Sequence, residues 1–166
     1  MKAIETDAPR YSWCKSHALW LIGTTTRSYL EDARGAQRED QDALLGFVAR
    51  MIGEGCAVAL NVSLNRERPV PGPAMRCSWA LARLEGHELR QPCWELVRGS
   101  EDVPAAEVVQ RCERLVARVS AVVGEMPNPI SPEGHLPALA LARDWIKLMD
   151  LVGEEPPIPN DWTLPI

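Results

Sequence analysis

Cys56-Ala57-Val58-Ala59-Leu60-Asn61-Val62-Ser63-Leu64-Asn65 is the stretch on which the fold class turns. Cys56, Val58, Leu60, Val62 and Leu64 alternate with Ala57, Ala59, Asn61, Ser63 and Asn65, and a period of two marks a strand with one face buried. On its C-terminal side, Arg66-Glu67-Arg68-Pro69-Val70-Pro71-Gly72-Pro73 suits neither helix nor central strand, because proline has no N–H to donate. It reads as an exposed loop. Met75, Cys77, Trp79 and Leu81 alternate again. Residues 78–84 would also suit a helix, but Glu85-Gly86 forms a plausible tight turn into 87–90 and favours a strand. Pro92 interrupts, and 93–97 reads as a last strand or its continuation. A small antiparallel sheet over residues 56–98 is the expectation.

Working outward, the flanks are helical. Leu19, Ile22, Thr26, Tyr29, Leu30 and Ala33 recur at helical spacing, against the β-branched run Thr24-Thr25-Thr26, and Gly35 closes the segment. Arg38-Glu39-Asp40 opens a second helix carrying Leu44, Leu45, Val48, Met51 and Ile52, with Gly53 and Gly55 as its stop. Near the other end, Ser100 or Asp102 caps a helix that Pro104 begins. Val108, Val109, Cys112, Leu115, Val116, Val119, Val122 and Val123 form its apolar stripe, up to Gly124. A last helix is predicted over 136–151. The reading is therefore an α+β fold: two N-terminal helices, a small antiparallel sheet, and two C-terminal helices packed on it. Residues 1–166 make a single domain, with an N-terminal arm over 1–12 and a Pro-rich tail over 154–166.

Composition narrows the function classes. Apolar residues are 46% and charged residues 25%, in the range of globular chains. Five widely spaced cysteines without a secretory leader read as free thiols in a cytoplasmic protein. No uninterrupted apolar run approaches the roughly 20 residues of a membrane span, so no membrane partner is expected. A formal charge of −5 repels nucleic acid at long range.

Motifs with chemistry are few. Gly53-Glu54-Gly55 is not a phosphate-binding loop, and neither a G-x-S-x-G nor an H-E-x-x-H sequence occurs. Cys14-Lys15-Ser16-His17 has a ligand-pair spacing, but a zinc site needs further convergent pairs and no C-x-x-C exists. Acidic residues Glu31-Asp32 and Glu39-Asp40-Asp42 are interleaved with Arg34 and Arg38, which reads as a solvated corner. No metal and no cofactor are expected.

Three functional expectations remain. The apolar tail residues Ile158, Trp162, Leu164 and Ile166 sit in an extended Pro-rich segment, a composition used at protein contacts. They point to a non-enzymatic accessory or regulatory subunit of a larger cytoplasmic assembly, binding a protein partner or a second copy. His87, Glu88 and Cys93 are the candidates for a small enzyme site. Arg111, Arg114 and Arg118 share one helix face and are the candidates for RNA contact, diluted by neighbouring glutamates.

Overall fold

The computed structural model describes residues 8–65, 73–99 and 102–127, together with 132–134, 137, 138, 140, 141 and 143. Its helices are α1 (Ala8–Trp20), α2 (Arg27–Arg38), α3 (Asp42–Asn65), α4 (Pro73–Arg83), α5 (Arg90–Arg98) and α6 (Ala105–Val123), with a π-helical turn over Leu21–Thr26 between α1 and α2. Among the described residues there is no strand. The α+β expectation is overturned, and the fold is helical.

Helix α3 explains most of the correction. It absorbs both the second predicted helix and the first predicted strand. The alternation over 56–62 is one of size and not of polarity: Cys56, Ala57, Val58, Ala59, Leu60, Asn61 and Val62 are all buried. A helix apolar on every side belongs in an interior, and α3 is the hub against which α1, α2, α4, α5 and α6 pack. Gly53 and Gly55, read as a stop, lie inside the helix. A Cβ on Gly53 would come within 2.9 Å of the Cys93 carbonyl oxygen and of Leu96 Cβ. One on Gly55 would come within 3.0 Å of Thr26 Oγ1. These glycines let neighbouring helices approach closely; they end nothing.

The other two predicted strands are α4 and α5. Pro92, which seemed to interrupt a strand, stands in the first turn of α5, where a missing N–H breaks no intrahelical bond. Helix α6 runs where its stripe places it and ends at Gly124, whose φ is 106°. The predicted helix 136–151 falls largely outside the described residues, although Ala138 is buried and Leu141 packs on the core.

At the N-terminal side, α1, the π turn and α2 form one continuous helical rod, since Trp20, Thr26 and Arg27 all keep right-handed helical φ and ψ. Its described part already includes residues 8–12, within the stretch expected to be an arm, so that expectation fails over 8–12. Cys14, Ala18, Ile22, Thr26 and Leu30 are buried along it at a strict spacing of four. In a pure α-helix each such step drifts about 40° around the axis. The wider π turn winds less per residue and returns the row toward α3. Gly35 lies inside α2; the rod ends instead at Asp40, whose φ of 51° makes it left-handed. Gln41 N–H donates to Ala36 O at 2.9 Å and Asp40 N–H to Gln37 O at 3.4 Å, a Schellman closure that reverses the chain into α3.

By length and composition α3 could cross a membrane: an 18-residue window within it has mean hydropathy 1.6. Arg50 and Glu54 interrupt its run of apolar residues. In the fold these two pair with each other at 3.0 Å, and 56% of the window is buried by the surrounding helices.

Candidate functional site

The amphipathic logic of α3 leaves a remainder. Leu45, Val48, Ala49 and Ile52 face the core, while Leu44, Phe47 and Met51 form a second stripe at i, i+3 and i+7 that points away from it. Leu44 is 42% and Phe47 57% exposed. Across from this stripe Trp94 on α5 is 43% exposed. Between them runs a groove of about 880 Å³, with Phe47, Met51 and Glu54 of α3, Cys77 and Leu81 of α4, and Arg90, Trp94 and Val97 of α5 among its walls. A second hollow of about 670 Å³ continues from it past Phe47, Arg50 and Val97 to Asp42, Arg98 and Val103. Large exposed apolar side chains grouped in one concave strip mark an interaction surface; scattered ones do not.

The charges of this strip are specific. Arg50 Nε donates to Glu54 Oε1 at 3.0 Å, so that pair is internally balanced. Arg90 Nε donates to the Leu81 carbonyl at 2.9 Å, tying α5 to the end of α4 and fixing the groove's width. Arg90, Trp94 and Arg98 recur at i, i+4 and i+8, placing an aromatic ring between two cations on one side of α5. Among the described residues neither arginine makes an ion pair.

Chemistry at the groove is limited. Cys77, the thiol in its wall, is pushed up to about 11 by burial and by the Glu54 carboxylate, so it stays protonated and poorly nucleophilic at neutral pH. Among the described residues no three His, Cys, Asp or Glu side chains converge as a metal site would require.

The residues singled out from sequence lie elsewhere or apart. Cys93 is fully buried, and burial followed by the neighbouring Cys77 pushes its thiol up to about 12. His87 Nδ1 accepts the Leu89 N–H at 3.1 Å, a local bond that shapes the turn into α5. Glu88 is exposed and pairs with Arg118 Nη2 at 3.0 Å. The three are therefore engaged in separate tasks, and no nucleophile–base pair is assembled. On α6, Arg111 and Arg114 each reach Glu107 Oε1 at 3.0 Å, and hydrogen bonding from Arg111 holds the Glu107 carboxyl below its usual range. With Arg118 bound to Glu88, the arginine face is largely neutralised, which weakens its attraction for a phosphate backbone. Cys14 and His17 are both buried in α1. Ile158, Trp162, Leu164 and Ile166 lie outside the described residues.

Sequence reading missed Phe47, Trp94 and Arg90 as a group. The available signal was the excess of apolar positions on α3: Leu44, Phe47 and Met51 widen its face beyond what one core can use. Comparison with known proteins gives no match to any family model, curated protein or solved structure.

Proposed function

We propose that this chain is a non-enzymatic docking module whose groove between α3, α4 and α5 holds an extended, acidic and apolar segment of a protein partner. The observation that carries this reading is the pair of exposed aromatics Phe47 and Trp94 lining one groove together with the half-buried Met51, with Leu44 exposed on the same stripe of α3. Aromatic-lined grooves suit extended segments, whose ordering costs little entropy. Arg90 and Arg98 beside Trp94 select for carboxylates over ammonium groups. High thiol pKa values at Cys77 and Cys93, and the local bonding of His87, favour binding over nucleophilic catalysis.

Photo-crosslinking tests the proposal. With p-benzoylphenylalanine at position 47 or 94, the full chain expressed in its own host should give one discrete adduct of the same mass from both positions. Position 114, on the far helix α6, should give none. Folded protein in which neither 47 nor 94 crosslinks to another protein or to a segment of this chain itself, or the same adduct from 114, would overturn the reading.

A further inference from the structure

We infer that the resident occupant of the groove is the chain's own segment 154–166, docked in cis, so that a partner binds by displacing it. The inference rests on the docking reading above and names the first ligand of that same site. Segment 154–166 has the chemistry the groove selects: Glu154, Glu155 and Asp161 are its charges, with no Lys or Arg. Ile158, Trp162, Leu164 and Ile166 supply apolar anchors, and Pro156, Pro157, Pro159 and Pro165 reduce the entropy lost on docking. Arg90 and Arg98, without ion-pair partners among the described residues, stand about 12 Å apart along α5. In a polyproline conformation Glu155 and Asp161 would be about 19 Å apart, with Ile158 midway. Reaching both carboxylates takes the Nη groups of Arg90, whose Nε is already bonded to the Leu81 carbonyl, and the full length of the Arg98 side chain.

The test uses full-length chains and a fluorescein-labelled synthetic peptide of residues 152–166. A flexible tether gives the cis segment an effective concentration on the order of 1 mM, so for a peptide Kd on the order of 0.1 mM the intact chain should bind about ten-fold more weakly than a tail-disabled one. Two tail variants provide that comparison, Ile158→Ser/Trp162→Ser and Glu154→Lys/Glu155→Lys/Asp161→Lys, each checked for unchanged helicity by circular dichroism. Both should take up the peptide about ten-fold more tightly than wild type. Adding Arg90→Glu/Arg98→Glu to the first variant should abolish uptake, and adding it to the charge-reversed tail should restore self-occupancy. Equal binding to wild type and tail variants, or none to any, would overturn the inference. So would a wild-type dimer, seen by sedimentation, that the tail substitutions dissolve, because the occupant would then be a second copy's tail. An adduct from positions 47 and 94 to another protein leaves the docking reading standing in each of those cases, so the two failures are distinguishable.

Discussion

Gly53 and Gly35 are both helical, and the fold assigns them opposite costs. Any side chain at Gly53 meets the Cys93 carbonyl and Leu96 Cβ at 2.9 Å, whereas nothing lies within 4 Å of a Cβ on Gly35. Gly53→Ala should lower stability by about 1–3 kcal/mol by forcing α5 outward. Gly35→Ala should raise it by about 0.5–1 kcal/mol through helix propensity. Urea titration of the two variants checks both signs. A buried histidine supplies a second prediction. Burial, and then the Arg76 charge, lower His17 from 6.5 to about 4. The unfolded chain takes up this proton first, so His17's contribution is full above about pH 6.5 and is lost as pH falls toward 4. That loss amounts to about 3 kcal/mol. Denaturation midpoints between pH 7 and 4.5 should show the slope in wild type and lose most of it in His17→Gln. Asn61 is fully buried; its Oδ1 accepts from Asn65, but among the described residues its Nδ2 has no hydrogen-bond partner. A buried unsatisfied donor costs about 1–3 kcal/mol, so Asn61→Leu, which keeps the number and branching of side-chain heavy atoms but adds bulk, should be at least as stable as wild type in the same titration if the neighbouring helices take up the larger methyls. None of these residue environments was legible from sequence, because each depends on what a distant helix brings alongside.

At the scale of elements, legibility followed polarity. Helix α6 was readable because its stripe from Val108 to Val123 alternates with charged residues such as Glu107, Arg111, Arg114 and Arg118. Helix α3 was not, because nearly every side of its second half is apolar and no period marks which way it faces. Its first half was recognised as helix, and the split at Gly53 came from treating a packing glycine as punctuation. Helices α4 and α5 are short, and Pro92 has opposite meanings in a strand and in a helix's first turn. The groove was hidden for the same reason: it exists only once α4 and α5 are helices flanking α3. The turn joining α2 to α3 offers its own test. Asp40 holds a left-handed conformation that glycine adopts freely, so Asp40→Gly should raise the thermal midpoint, with a gain of up to about 1 kcal/mol. An unchanged or lowered midpoint would count against the Schellman closure described for this turn.

For the molecule as a whole, one core cluster joins all the helices, and every cysteine is buried in it. Thiol labelling should therefore report opening of the bundle. In native buffer all five should react slowly with an aromatic disulfide, at rates that rise together with urea. Rapid reaction of Cys93 alone would contradict its burial and revive an enzyme site near residues 87–93. The central place of α3 also bears on how the protein is made. Its most apolar helix is complete at Asn65, while α4, α5 and α6, half of its eventual cover, are still to be translated. At cellular elongation rates of about 5–20 residues per second, the chain from there to Val123 takes about 3–12 s. For that interval a helix with the hydropathy of a membrane span is shielded only by the rod formed by α1, the π turn and α2. The nascent chain thus passes through a stage at which the machinery that captures apolar segments emerging from ribosomes can compete with its own folding.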